Sequence, residues 1–340
     1  MSKHRIVVAG CGGMSNTWFD YVAERDDAHV VALVDVHLPA AKAMAERRGL
    51  NVPLYSDLSE AIKENEANLV FDVTIPKVHK QIVTTALTAG CNVFGEKPIA
   101  KTLADANEVV DVAGKTGKTY SVMQNRRFNK QIRAFHQLLA DKTIGNVGTL
   151  HADFFLGPHF GGFRDVMDSP LIVDMAIHTF DQARFLMRAD PVSVYCHEFN
   201  PPGSWYKGNA SAICIFEMSD GSVFTYRGSW CAEGFATSWE SDWRAIGELG
   251  TARWDGEHLP TCEVVDESQP ADFLRKAKAI DVPDAWKGRE GHWGCLDEMF
   301  IALEQNRQAE TDCTDNIKSM AMVFGAVESA RTGKKVFLEG

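Results

Sequence analysis

Four stretches of this 340-residue chain hold reactive side chains at spacings that chemistry uses. The first is GCGGMS, Gly10 to Ser15, which breaks the apolar run Ile6 to Ala9. Glycine is needed twice there: Gly10 lets the chain leave a strand in a tight turn, and Gly12 lets backbone approach a pyrophosphate with no Cβ in the way. Ser15 stands where a third glycine is usual, and it is small enough for close packing of helix on strand. A pyrophosphate would then sit over the N–H groups that open a helix from about Asn16. The run HVVALVD, His29 to Asp35, ends on a carboxylate 25 residues after Gly10, the place for an acceptor of a ribose diol. Its charge repels a 2′-phosphate, which favours NAD over NADP.

The other three are TIPKVH (Thr74 to His79), EKP (Glu96, Lys97, Pro98) and DMAIH (Asp174 to His178). Asp174 and His178 are four apart, so a helix puts them on one face, one turn from each other. A carboxylate beside an imidazole orients it and favours its protonated form, which suits a group that takes a hydroxyl proton near neutral pH. A metal reading of Asp174, His178 and His159 fails for want of ligands, because no third donor has diagnostic spacing. No metal is expected.

These motifs need a scaffold, and the first 120 residues supply one. Strand-like runs near 5–9, 29–35, 69–74, 91–95 and 119–123 alternate with helical stretches, the pattern of a doubly wound parallel sheet. A helix ending near Ala89 stops on Gly90, and one over Leu103 to Ala113 meets Gly114 and Gly117. TIPKVH and EKP then fall at strand ends on one side of an open sheet, where ligands bind. After about residue 150 the runs lengthen and alternate, as in SAICIFEM (Ser211 to Met218) and SVFTYRGSW (Ser222 to Trp230), with SDG between them as a hairpin turn. Alternation of this kind predicts an antiparallel sheet with one face covered and the other free for a partner subunit. The expected organisation is a nucleotide-binding Rossmann domain over 1–124 and an α+β domain over 125–340 with a large, open, mostly antiparallel sheet. A last helix is expected over about Asn316 to Ala330.

A net charge of −11 with no Lys/Arg-rich run argues against nucleic acid as a partner. No apolar run reaches the length of a membrane span, and the first strand begins almost at Met1, so a cytoplasmic protein is expected. The eight cysteines are scattered without metal or disulfide spacing and read as reduced; Cys11 fills a tight turn.

On the glycine loop, the TIPxxH step, the EKP tripeptide and the D-x-x-x-H helix, taken in that order over the whole length, the chain resembles the glucose–fructose oxidoreductase, inositol dehydrogenase and MocA (Gfo/Idh/MocA) family. That resemblance implies an NAD-dependent dehydrogenase acting on a secondary alcohol of a sugar, sugar derivative or cyclitol. It places Lys97 beside the nicotinamide and the reacting hydroxyl, where an ammonium stabilises the developing alkoxide. It makes His178 the general base and Asp174 a ligand of substrate hydroxyls. For the cofactor it implies Gly10, Gly12, Gly13, Met14 and Asp35 from the first βαβ unit. Thr74, Pro76 and His79 would join them from the second motif, and Glu96 and Lys97 from the third.

The segment GPHFGGFRDVMDSP, Gly157 to Pro170, precedes the Asp174 helix and carries His159 and Arg164, candidates for binding hydroxyls or a carboxylate. Asn125 and Arg126 face the same cleft in the family arrangement. Trp205, Trp230, Trp239 and Trp243 can stack on a sugar face or fill a core or subunit interface. A homodimer or homotetramer is expected. Two rival functions are a glycoside-cleaving enzyme that retains its NAD and oxidises transiently, and a non-catalytic NAD(H) or metabolite sensor.

Overall fold

A computed structural model describes residues 3–270 and 272–338, and the chain divides into two compact units. The first runs to Asn125 and takes back His292–Ile317; the second comprises Arg126–Gly291 and the chain from Lys318. Where the sequence predicts 125–340 as one block, the segment His292–Ile317, with most of the helix Gly291–Glu304, therefore belongs with the nucleotide-binding unit. The reason is Phe300, on the helix Gly291–Glu304, whose ring packs edge-on against Phe71 and Phe94 and stacks near Tyr21.

The first unit is built on β1 (His4–Ala9), β2 (Ala28–Val34), β3 (Leu54–Tyr55), β4 (Leu69–Asp72), β5 (Asn92–Gly95) and β6 (Tyr120–Val122), in the order β3-β2-β1-β4-β5-β6. Every pairing is parallel. The strands are near-continuous apolar runs because helices cover both faces. The order reverses between β1 and β4, so the crevice for a ligand opens beyond the carboxyl ends of these two strands. Local chemistry sets the helix limits. Asp57 and Thr102 accept the N–H groups of Glu60 and Asp105 and so start the helices Leu58–Glu64 and Leu103–Thr116. The second helix runs through Gly114 and stops only at Gly117, which takes φ +64°.

The second unit holds β7 (Val147–Phe155), β8 (Pro191–Phe199), β9 (Ser211–Met218), β10 (Val223–Ser229), β11 (Asp242–Gly247), β12 (Gly250–Trp254), β13 (Thr261–Val265), β14 (Ala277–Ile280) and β15 (Val336–Phe337). They form one sheet in the order β14-β13-β12-β11-β7-β10-β9-β8-β15. All pairs are antiparallel except β10 with β7, and β9 and β10 make the hairpin that SDG predicts. One face is covered by the helix Ile177–Met187, whose Phe180 ring sits edge-on to Phe216 and Tyr226. On the other face Tyr195, Ile213 and Ile215 point outward from β8 and β9 and stay nearly half exposed. Among the described residues no helix is long and apolar enough to cross a membrane.

Candidate active site

The glycine loop has the shape its residues require. Gly10 takes φ +92°, and a Cβ there would lie 2.6 Å from the Val73 carbonyl oxygen, so only glycine fits. Its N–H donates to the Val34 carbonyl at 2.9 Å, pinning the loop to β2. Around Gly12 and Gly13, by contrast, a Cβ would meet open space, which leaves the backbone there accessible to a phosphate. Ser15 is buried and its hydroxyl donates to the Gly12 carbonyl at 2.7 Å, so it shapes the loop while filling the third-glycine position. Asp35 follows β2. One carboxylate oxygen accepts the Cys11 N–H at 2.9 Å and the other the His37 N–H at 2.8 Å. Burial and the Asp35 charge push the Cys11 thiol up to about 12, so it is an inert filler.

A cavity of about 480 Å³ opens beside this loop, lined by Gly10, Gly12, Asp35, Leu58, Ile75 and Ile82 among others. Thr74 is half-buried, and Pro76 and Met14 are exposed. The open space at Gly12 and Gly13, the close approach at Gly10 and the carboxylate on the cavity wall fit a dinucleotide. Motif reading assigned no role to the apolar walls from Ile75, Val78 and Ile82; the apolar Ile75 and Val78 inside TIPKVH were their sequence signal.

Glu96 and Lys97 follow β5, two strands from β1 on the same sheet edge, which at strand spacing is about 10 Å away. Glu96 is buried, and its carboxylate accepts the Trp18 indole N–H at 2.8 Å, which ties the loop to the helix Ser15–Ala23. Lys97 is half-buried, and the Lys97–Pro98 peptide is cis. Asn125 lies 3.4 Å from His292, and burial lowers the His292 pKa despite the Glu96 charge. Trp18 and His292 are thus part of this neighbourhood without any motif to announce them. His79 departs from the expectation of a cofactor ligand. It is fully buried, with Nδ1 2.7 Å from the Pro98 carbonyl and Nε2 3.1 Å from the Thr74 carbonyl, so both ring nitrogens are committed to protein backbone.

In the second unit the sequence predicts a regular helix through Asp174 and His178. The structure instead has a π-helical turn over Leu171–Ala176, and the α-helix begins at Ile177. Such turns widen the helix by one residue and cluster at functional sites. Asp174 lies in the turn and accepts the Arg164 Nε–H at 2.6 Å, while His178 is buried just beyond it. Arg164 also lies over the Phe160 and Phe163 rings. The loop Gly157 to Pro170 thereby delivers Arg164 to Asp174, but His159 goes elsewhere: it is exposed, stacks on Trp205 at 3.8 Å and meets Glu233 at 3.0 Å.

Arg126 is also committed to the protein. Its guanidinium donates to the Trp239 carbonyl, pairs with Glu240 at 3.5 Å and reaches the Met175 sulfur. Gln182 donates to the other Glu240 oxygen at 2.7 Å. This expected substrate contact braces the segment Trp239–Glu240 beside the π turn. Of the tryptophans, Trp230 and Trp243 are core residues, whereas Trp239 is 44% exposed, with Phe160 6.2 Å away.

Comparison with known proteins agrees with both halves. Residues 4–124 match the family described as oxidoreductase family, NAD-binding Rossmann fold, and residues 132–253 match the GFO/IDH/MocA C-terminal domain. An uncharacterised protein, y4oX, of Sinorhizobium fredii is 27% identical over 98% of this chain and 95% of its own. The D-apiose dehydrogenase of Paraburkholderia graminis is 25% identical over 100% of this chain and 91% of its own. The fold is shared with an oxidoreductase from Agrobacterium radiobacter, solved in complex with NAD+, L-tartaric acid and magnesium. It has a TM-score of 0.85 at 21% identity and covers 99% and 98% of the two chains. With both domain models matched in order and a nucleotide loop of the right geometry, the chain belongs to the GFO/IDH/MocA family of NAD-binding oxidoreductases.

Proposed function

We propose that this enzyme oxidises a secondary alcohol of a sugar, sugar derivative or cyclitol. The observation that carries this reading is the Lys97 loop on the same sheet edge as the glycine loop, about 10 Å away by strand spacing, within the reach of a dinucleotide that Gly12 would hold. The names of relatives that act on apiose, glucosides and inositols support the substrate class.

The residues that would hold the dinucleotide are Gly10, Gly12, Gly13 and Met14 at the pyrophosphate, Asp35 at the ribose diol, and Thr74, Pro76 and Glu96 along its course. Asp35 favours NAD, since a 2′-phosphate would face its carboxylate. When bound, NAD supplies the hydride acceptor. His178 takes the hydroxyl proton, Lys97 donates to the oxygen as negative charge builds there, and Asp174 orients the substrate hydroxyls. Loss of that proton together with the hydride that NAD would accept would leave a ketone or lactone. Arg164 holds Asp174 in place and offers a donor to a substrate hydroxyl or carboxylate. The outward apolar residues of β8 and β9 would be covered by a second copy of the chain, giving a homodimer or homotetramer.

The test is NADH formation across inositols, aldoses, anhydrosugars, uronic acids and glycosides, with NADP⁺ in parallel. Reduction with one class identifies the substrate. Glycoside cleavage without net NADH release transfers the reading to the retained-cofactor mechanism, and NAD binding with neither outcome transfers it to a sensor. Lys97→Ala and His178→Ala should each lower turnover by at least about 10²-fold while NAD binding, followed by fluorescence titration, stays within about threefold. Loss of NAD binding in a folded variant would remove these catalytic assignments.

A further inference from the structure

His79 sits at the first position of the helix His79–Thr88, with each ring nitrogen within hydrogen-bond distance of a backbone carbonyl. A carbonyl oxygen only accepts, so a neutral imidazole could satisfy one of these contacts and would turn its bare lone pair on the other carbonyl. Both contacts are satisfied only when both nitrogens carry a proton. A buried cation needs a counter-charge, and Asp72 at the end of β4 is the acid in electrostatic contact with His79: burial pushes its carboxyl up, and the His79 charge with the Thr74 hydrogen bonds pulls it back toward the ionised form. One Asp72 oxygen accepts the Thr74 N–H at 3.1 Å and the Thr74 hydroxyl at 2.5 Å; the other is buried with no hydrogen-bond partner in the structure. The positive end of the helix dipole opposes a cation at this position, and the two carbonyls with the Asp72 charge oppose that in turn. Tyr120 on β6, Glu96 after β5 and Cys313 complete the titratable groups of this buried cluster. Gly95 leaves room for it, since a Cβ there would come within 3.3 Å of both the Tyr120 ring and the Asp72 side chain.

We propose that His79 is a buried imidazolium that ties the loop after β4, through Thr74, to the loop after β5, through Pro98, and so positions Lys97. The inference rests on the reading of Lys97 above. His79 touches neither substrate nor cofactor; it is a positioning residue. One anchor, Thr74, lines the cavity beside the glycine loop, and the other, Pro98, directly follows Lys97, so a single ring sets the separation between the TIP segment and that lysine.

Two measurements test this without turnover. In the NAD-bound enzyme labelled with ¹⁵N-histidine, both His79 ring nitrogens should remain protonated at pH 8, the signal being assigned by its loss in His79→Gln. A neutral ring with one bare nitrogen overturns the proposal; the protonation state is read on the wild-type protein, and the variant, checked for native circular dichroism, serves only to assign the signal. In protein labelled at the lysine ε carbon, the Lys97 ammonium should titrate with an acid constant changed about fivefold or more in His79→Gln; an unchanged constant overturns the positioning role. Where a substrate is in hand, kcat of His79→Gln should fall about 10²-fold with the NAD dissociation constant little changed. Failure to find a substrate would count against the proposed reaction and leave both spectroscopic outcomes readable.

Discussion

Single residues here are tuned by what surrounds them. Glu198 on β8 is largely buried, and burial pushes its carboxyl up to about 7, against the pull of the Ser169 hydroxyl that donates to it at 2.9 Å. Its folded-state pKa lies above its unfolded value. The folded state therefore carries no ionisation penalty below about pH 4.5, takes it on as pH rises, and bears all of it above about pH 7. Glu198→Gln should leave stability nearly unchanged at pH 4 and raise it by on the order of 2 kcal/mol at pH 8, read by denaturant unfolding at the two pH values. An equal change at both would show that packing and not charge is responsible. Buried charge is handled differently at Arg127, which meets Asp181 through two bonds of 2.6 Å, with Ser319 donating to the same carboxylate at 2.8 Å. There each carboxylate oxygen meets a donor of the guanidinium, so the two buried groups satisfy one another.

At the scale of elements, the π turn Leu171–Ala176 and the loop before it act together. The loop delivers Arg164 to Asp174, and backbone bonds from Lys207 to the Asp165 carbonyl and from Asn209 to the Asp168 carbonyl hold its later half. Gly208 permits that approach, since a Cβ there would lie 2.2 Å from the Asp168 oxygen. Arg164→Gln removes the ion pair while keeping a polar side chain. It should raise KM about tenfold or more and change kcat much less, because Arg164 orients Asp174, the proposed substrate-binding group, and is not itself assigned a proton transfer. A fall in kcat at constant KM, measured by steady-state kinetics on the identified substrate, would place Arg164 in the chemical step.

For the whole molecule, the open face of the nine-stranded sheet carries the proposed homo-oligomer. Tyr195 and Ile215 pair across β8 and β9, and Ile213 lies on the same outward face. Half-exposed aromatic and branched residues in register are what an interface core looks like. Ile215→Arg should convert the assembly to monomers in sedimentation velocity while circular dichroism stays native. A monomeric wild-type protein would remove the proposal.

The sequence by itself determined the local elements and the motif positions. The parallel sheet, the β9–β10 hairpin, the glycine turn and the strand-end location of EKP all follow from periodicity and from residues that fit few backbone shapes. Such information is carried within a few residues, so it survives in a linear reading. What only the tertiary structure decided is how polar groups are spent. Arg126, His159 and His79 have the chemistry of ligand contacts, yet each is bonded to protein groups, and those partners lie 113, 74 and 19 residues away respectively. The return of Phe300 to the first sheet and the π turn at Asp174 belong to the same class. Hydrogen bonding and packing between distant segments fix them, and no local pattern encodes which of several available partners a side chain will meet.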